Sequence, residues 1–184
     1  MDVVSALDLS YEKAEKLVAG LDVVQLDEPS PCAGWDVRAT LEHLLGTVQM
    51  FTLVNQGHEG VTEEAVATGD DPAGAMSAVA RENLASWRRP GAFDGDRTLP
   101  FGTFPAGVAA LMNLEEVVVH CWDIAKATRQ ESAIAPEATA MVYEFCRSLP
   151  LDAFRAHGAF GPEVAVPEAA PPINRLVGLL GRQP

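Results

Sequence analysis

Apolar residues recur at helical spacing in four long stretches of the chain. These stretches cover residues 3–20, 37–55, about 72–89 and 105–128. Residues three and four apart share one face of a helix, so each stretch predicts a helix with a buried side. A fifth helix is predicted to begin at Pro136, because proline is favoured in the first turn of a helix. The pattern therefore predicts a mainly helical protein.

The segments between the predicted helices carry residues that cap helices or form turns. Asp36 can cap the second helix, and the pair Asp71-Pro72 is typical of a helix start. Residues 56–70 are rich in Gly and Glu and are predicted to form a surface loop. Residues 97–104 have no helical period and are predicted to form a short hairpin.

The last part of the chain differs in composition from the rest. Residues 149–172 are rich in Pro, Gly and Ala and are predicted to run irregularly over the surface, before a short helix at 173–180. No strong strand pattern separates the long helices, which favours an all-α bundle with one crossover loop. We therefore expect a helical bundle over residues 1–148, with a short irregular C-terminal extension over residues 149–184 that packs on it.

The fourth predicted helix is apolar almost all round and yet carries ionisable residues. Glu116, His120 and Asp123 are spaced four and three apart, so they form one polar stripe on a helix that should be buried. A buried carboxylate is costly unless it is paired or bound to a metal. Glu115 points about 100° away from this stripe on a helical wheel and is expected to be exposed.

The stripe can supply two ligands to one metal ion. Glu116 and His120 are one helical turn apart, a spacing at which one helix can present two ligands to the same metal ion. His43 lies in the apolar run of the second helix and is the best-placed third ligand, which would give the three protein ligands of a catalytic zinc site. The alternative is that His43 and His120 are core histidines satisfied by hydrogen bonds.

Other residues have weaker claims to a role. Asp123 can hydrogen-bond a ligand histidine, or it can pair with Lys126 or with an arginine of a neighbouring helix, and the sequence favours neither. The remaining candidates have structural or unspecific expected roles: packing around the site for Trp35 and Trp122, core or loop filling for Cys32 and Cys121, a surface salt bridge for Arg175, and loop positions for His58 and His157.

Composition narrows the class of protein. The chain has 184 residues, 48% of them hydrophobic, and a formal net charge of -13, which argues against a nucleic-acid-binding face. No apolar run approaches the roughly 20 residues that span a bilayer. The N-terminal residues lack the basic start of a signal peptide, and the three cysteines are widely spaced without a CxxC pair. A reduced, cytoplasmic protein without membrane or nucleic-acid partners is expected.

Two motifs resemble those of a known superfamily. Residues 31–46, PCAGWDVRATLEHLLG, resemble the Gly-Trp-(Thr/Asp)-Val…His-Leu segment of the DinB-like superfamily. Residues 116–127, EVVVHCWDIAKA, are similar to the second motif of its mycothiol-dependent maleylpyruvate isomerase group. Residues 160–167 and 174–182 resemble the tail of a small branch of metal-binding proteins in that group. The resemblance spans nearly the whole chain.

The resemblance implies a fold, a metal and a thiol. It implies a DinB-like four-helix bundle that holds a divalent ion, often zinc or nickel, through His43, Glu116 and His120. Mycothiol is the low-molecular-weight thiol that it implies as co-substrate. The resemblance also implies that the isomerase is a longer chain with a substantial C-terminal domain. In this chain only about 35 residues follow the last long helix. Bundles of this kind often pair, so a homodimer is also expected.

Three functional hypotheses remain open at this point. The first is a thiol transferase or isomerase in which the metal activates a small thiol for attack on an electrophile. The second is a non-catalytic metal- or ligand-binding module of stress response. The third is a helical scaffold whose histidines belong to the core. Stoichiometric metal in the purified protein separates the first two from the third.

Overall fold

The structure, a computed structural model, describes residues 1–130 and 134–184 of the chain. Its helices and strands follow in the order α1 (Val3–Ala19), a short 3-10 helix (Val23–Asp27), α2 (Val37–Asn55), α3 (Pro72–Trp87), β1 (Asp96–Leu99), β2 (Gly102–Pro105), α4 (Ala106–Thr128), α5 (Pro136–Arg147), α6 (Leu151–Ala156) and α7 (Pro172–Leu179).

The four long helices form a bundle in which α1 and α2 each pack against both α3 and α4. Their apolar faces meet in one core, to which Leu7, Leu44, Met76 and Leu114 each contribute a fully buried side chain. The predicted all-α fold is therefore confirmed. α5 packs against α4 and α1, and α7 packs against α5.

The helix starts predicted from the sequence are found in the structure. The Asp36 carboxylate accepts a hydrogen bond from the Ala39 backbone N–H at 2.7 Å, and Asp71 accepts one from Gly74 at 2.8 Å. Both aspartates satisfy backbone donors that have no partner inside the first turn of a helix. The Asp36 cap fixes the start of α2, and thereby the position of His43 two turns later.

A buried polar network sets α1, α3 and α4 in register. The Tyr11 hydroxyl donates to Asn83 Oδ1 at 3.0 Å and accepts from Asn113 Nδ2 at 3.4 Å, while Trp87 Nε1 donates to Asn113 Oδ1 at 2.9 Å. Buried polar groups are costly when unpaired, so sliding one helix past another would break this network.

One prediction for the connecting segments needs correction. Residues 56–70 have no regular structure and are mostly exposed, as predicted for a surface loop, although Thr68 is buried and donates to Glu42 on α2. Residues 149–172 are not wholly irregular, because α6 occupies Leu151–Ala156. The predicted hairpin is confirmed: β1 and β2 pair antiparallel from Asp96 opposite Pro105 to Leu99 opposite Gly102.

The predicted division of the chain at residue 148 remains a prediction. Among residues 1–130 and 134–184, no helix is both long and apolar enough to cross a membrane.

Candidate metal centre

The three ligands predicted from the sequence come together between α2 and α4. The Nε2 atoms of His43 and His120 lie 3.5 and 3.2 Å from the same oxygen of Glu116, Oε2. One donor atom from each residue lies within 4.8 Å of the other two. The His43 and His120 rings meet edge to face, with their centroids 4.8 Å apart.

The bundle explains why these residues meet. Glu116 and His120 are one turn apart on α4 and face α2, against which α4 packs. Helical spacing alone brings this pair together, whereas His43 reaches it only because α2 and α4 are neighbours in the bundle. The His120 side chain is 8% exposed and that of Glu116 is 25% exposed, so the site lies at the edge of the core and opens to solvent on one side.

His43 has a second partner that the sequence did not reveal. Its Nδ1 atom lies 2.7 Å from Glu63 Oε1, in the segment that runs along α2. A carboxylate on one ring nitrogen of a histidine fixes the tautomer and the ring orientation and leaves the other nitrogen free as a ligand. Glu63 is one of several acidic residues in a region without helical period, so no sequence signal distinguished it.

His120 is held in the same way by Asp123. Its Nδ1 atom lies 3.0 Å from Asp123 Oδ2, and the Asp123 side chain is fully buried. Arg182 also donates to Asp123, from Nε to Oδ1 and from Nη2 to Oδ2, both at 2.9 Å. Of the sequence alternatives for Asp123, the structure shows two at once: the bond to a histidine of the site and a pair with an arginine. That arginine comes from the C-terminal segment and not from a neighbouring helix, which no helical spacing predicts.

Glu116 and His120 shift each other's pKa values in opposite directions. Burial raises the pKa of Glu116, but hydrogen bonds with His120 and His43 outweigh it and hold this pKa well below its usual value. Burial lowers the pKa of His120, but its hydrogen bonds to Asp123 and Glu116 raise it well above the usual value. Without a metal ion, the favoured state is thus an anionic Glu116 beside a protonated His120.

Glu115 corrects one expectation from the helical wheel. It was expected to be exposed, but it is half-buried. Burial, followed by repulsion from the neighbouring Glu116 carboxylate, raises the pKa of Glu115 to about 8. α5 packs against α4, and burial raises the pKa of the Cys146 thiol on α5, with a further rise from the nearby Glu115 charge.

Trp35 covers the two imidazoles, as expected. Its ring centroid lies 4.6 Å from that of His43 and 6.2 Å from that of His120. The residue is 36% exposed, so one part of the indole faces the histidines and another part faces solvent. Trp122 is instead buried on another side of α4, with the Lys126 ammonium 5.9 Å from its ring centroid.

The three cysteines are free and differ in their surroundings. Cys121 and Cys146 are buried in the core, and burial raises the pKa of Cys121 to about 12 and also raises that of Cys146. Neither is a thiolate at neutral pH. Cys32 is half-buried beside the site, where its Sγ donates to Asp123 Oδ2 at 3.6 Å and accepts from Arg182 Nη2 at 3.4 Å.

A second set of possible ligands, Cys32, His120 and Asp123, also lies close together. The guanidinium of Arg182 already occupies both carboxylate oxygens of Asp123. A metal ion bound there would sit beside this fixed positive charge, which is unfavourable in a buried setting. This second set is therefore an ion-pair network and is not a candidate metal centre.

The remaining candidates lie away from the three ligands. His58 and His157 are exposed, and His157 caps the end of α6. The Arg175 guanidinium stacks over the Tyr143 ring at 5.0 Å, a cation–π contact. Within residues 1–130 and 134–184, the surface salt bridge expected for Arg175 is not found.

The donor set of His43, Glu116 and His120 fits a divalent ion. In a tetrahedral zinc site with ligand distances of about 2.0–2.2 Å, donor atoms are roughly 3.3–3.6 Å apart. The two spacings from Glu116 Oε2 are 3.2 and 3.5 Å. Two imidazoles and one carboxylate suit zinc and nickel, and they leave a coordination position for a further ligand.

Comparison with known proteins gives the family that this chain resembles. The family model described as "Mycothiol maleylpyruvate isomerase N-terminal domain" matches residues 7–125, which include all three candidate ligands. Two uncharacterized proteins from two strains of Mycobacterium tuberculosis are each 30% identical to the chain over 192 residues, covering 99% of this chain and 98% of theirs.

A solved structure shares the fold. The crystal structure of a mutant of mycothiol-dependent maleylpyruvate isomerase aligns with a TM-score of 0.57 and 17% sequence identity. The alignment covers 78% of this chain and 66% of the isomerase chain. This likeness confirms that the chain shares the helical fold of that structure, and about one third of the isomerase lies outside the alignment.

Proposed function

Because this chain belongs to the mycothiol maleylpyruvate isomerase N-terminal domain family, we propose that it is a metal-dependent enzyme acting on a low-molecular-weight thiol. His43, Glu116 and His120 would hold the ion, with zinc favoured over nickel. The reaction would be transfer of the thiol to an electrophile or a thiol-assisted isomerisation. Mycothiol is the thiol suggested by the family, and the free cysteines fit a reducing cytoplasm.

One observation carries this proposal: both histidines turn Nε2 toward Glu116 Oε2 while a carboxylate holds each Nδ1. A core histidine needs only one hydrogen-bond partner to be satisfied. In metal sites, outer partners such as carboxylates typically orient the ligand histidines. Here one carboxylate orients each ring, and both rings converge on a third donor, the anionic Glu116 carboxylate.

A divalent ion bound at these donors would act as a Lewis acid that lowers the pKa of a coordinating thiol. The chain's own residues supply the rest of the site. Glu116 offsets one positive charge, while Glu63 and Asp123 keep the imidazoles in the ligand tautomer. Trp35 shields the rings from water on one side and offers an apolar surface to an incoming molecule.

The thiol would have to come from a small molecule. Cys121 and Cys146 are buried and protonated, and Cys32 is engaged with Asp123 and Arg182. The two buried cysteines therefore offer no nucleophile and Cys32 is held by two partners, in keeping with a thiol co-substrate.

The first test is elemental analysis of protein purified without added metal, followed by zinc and nickel titration at neutral pH. We expect about one ion per chain in the wild type and a loss of binding in His43→Ala and Glu116→Ala. His58→Ala is the matched control, since it removes an exposed histidine away from the site. Absence of metal binding in the wild type, together with unchanged stability of His43→Ala, would overturn the proposal.

A second candidate is a non-catalytic metal- or ligand-binding module of stress response. It is favoured by what the alignment leaves out: 34% of the isomerase chain has no counterpart in it. Turnover separates the two candidates: the zinc-loaded protein is incubated with mycothiol and the electrophile monobromobimane, and conjugation is followed by fluorescence. Conjugation faster than in His43→Ala supports the enzyme, and equal rates support the binding module.

A further inference from the structure

The end of the chain reaches the site by a fixed path. After α7 the chain turns at Gly181, whose φ of 88° lies in the left-handed region, and the Arg182 backbone N–H donates to Val177 O at 2.8 Å. A Cβ on Gly181 would collide with the backbone of Gly161, so only glycine allows this close approach. The turn directs the Arg182 side chain into the bundle.

Arg182 meets Asp123 through two parallel hydrogen bonds. Nε and Nη2 each lie 2.9 Å from a different carboxylate oxygen, and the Arg182 side chain is only 10% exposed while that of Asp123 is 0% exposed. Such a two-pronged pair fixes the plane of the carboxylate as well as its charge. The same Asp123 Oδ2 lies 3.0 Å from His120 Nδ1.

We propose that Arg182 is a positioning residue of the site: it orients the Asp123 carboxylate, which in turn holds the His120 ring with Nε2 facing Glu116. The C-terminal segment then contributes to the site, although Arg182 lies 59 positions from Asp123 in sequence. This proposal rests on the proposed metal site wherever metal affinity is its readout.

The arrangement has a reciprocal consequence. If Arg182 favours the metal-binding orientation of His120, metal binding must equally favour the docked position of the C-terminal segment. Zinc should therefore slow amide hydrogen exchange at residues 177–183 in the wild type. It should do so much less in Asp123→Asn, where the link between Arg182 and His120 is broken.

The experiment measures zinc affinity by competition with a chromophoric chelator. We expect Arg182→Ala to bind zinc about tenfold more weakly, because outer partners of a ligand histidine typically contribute 10- to 100-fold. Arg182→Lys should recover part of this loss, since lysine keeps the charge but not the two-pronged geometry. If Arg182 acts through Asp123, the double variant with Asp123→Asn should bind no more weakly than Asp123→Asn alone.

Arg155→Ala is the matched control. Arg155 tethers the same segment, donating to Leu179 O at 2.9 Å and to Gly161 O at 3.2 Å, but it does not contact Asp123. This variant should lower thermal stability and leave zinc affinity within about twofold. Folded Arg182→Ala with wild-type affinity, or additive losses in the double variant, would refute the role of Arg182.

A measurement without metal keeps the two proposals separable. In the metal-free protein, the His120 Nδ1–H proton should give a downfield resonance protected from solvent exchange by the buried Asp123. We expect this resonance to be lost in Arg182→Ala and kept in Arg155→Ala. If the wild type binds no metal but this pattern is found, the metal proposal fails and the positioning role stands; if the resonance survives in Arg182→Ala, the positioning role fails.

Discussion

Glu115 and Glu116 are adjacent on α4, yet their environments move their pKa values in opposite directions. Glu116 Oε2 is the point on which both imidazoles converge, and its pKa is held low. Glu115 is half-buried, and this burial together with the neighbouring Glu116 charge raises its pKa to about 8. A single residue position on the helix therefore separates a candidate ligand from a carboxyl group whose pKa is raised to about 8.

These shifts predict how the stability of the metal-free protein depends on pH. A carboxyl with a raised folded pKa contributes stability that is fully present below its unfolded pKa, here 4.5, and is lost as pH rises through about 8. The raised pKa of His120 acts in the same direction above the ordinary histidine pKa of 6.5. The free energy of unfolding should therefore fall between pH 5 and pH 9.

Glu115→Gln isolates the first of these two contributions, because glutamine does not titrate. Urea unfolding in the presence of a chelator should show a smaller fall for this variant, by roughly 2 kcal/mol or less after solvent screening. Glu137→Gln, at an exposed position in the first turn of α5, is the control and should keep the wild-type slope. A wild-type slope in Glu115→Gln would show that Glu115 does not titrate in this range.

The segment of residues 56–71 depends on a close contact with α2. Its Val66 N–H donates to Glu42 O at 3.1 Å, and Thr68 donates to the Glu42 carboxylate. Gly46 has no side chain, and a Cβ there would collide with the Glu64 carbonyl. The absence of that Cβ lets the segment lie on the helix and bring Glu63 to His43.

Gly46→Ala should therefore push the segment away from α2. We expect a loss of about 1–3 kcal/mol in the free energy of unfolding, as for overpacked sites. Zinc affinity should fall by roughly 10- to 100-fold, as in Glu63→Gln, because His43 loses its carboxylate partner in both variants. Chelator competition and urea unfolding measure the two effects.

Gly107→Ala provides the control for this substitution. It lies in the first turn of α4, and a Cβ there would meet open space, so stability and zinc affinity should be unchanged or slightly improved. The account of the segment fails if Gly46→Ala keeps wild-type affinity while Glu63→Gln loses it.

At the scale of the whole molecule, the site joins parts that are distant in sequence. His43 comes from α2, Glu116 and His120 from α4, and Arg182 from the C-terminal segment. A ligand that binds only when these parts are assembled stabilises the folded state by mass action. Metal binding should thus be visible in global unfolding.

Zinc at 100 times its dissociation constant should stabilise the fold by about 2.7 kcal/mol, which for a chain of this length corresponds to roughly 5–10 °C in Tm. Differential scanning fluorimetry with and without zinc measures the shift. His43→Ala should show almost none of it, while His58→Ala should behave as the wild type. An equal shift in His43→Ala would place the stabilising ion elsewhere.

The sequence by itself determined the helices and the local part of the site. Apolar periodicity and the caps at Asp36 and Asp71 located the helix starts, because these signals are local and act within one or two turns. The spacing of Glu116 and His120 placed both on one face of α4 for the same reason. His43 was identified by its position in an apolar helix and by a family resemblance.

Only the tertiary structure decided what surrounds the three candidate ligands. Glu63 lies 20 residues from His43 and Arg182 lies 59 residues from Asp123, and no periodicity relates either pair. Both contacts depend on the path of irregular chain over the bundle, and that path is set by close backbone approaches at Gly46 and Gly181. A helical period specifies which side chains share a face, whereas only packing specifies which distant segment covers that face.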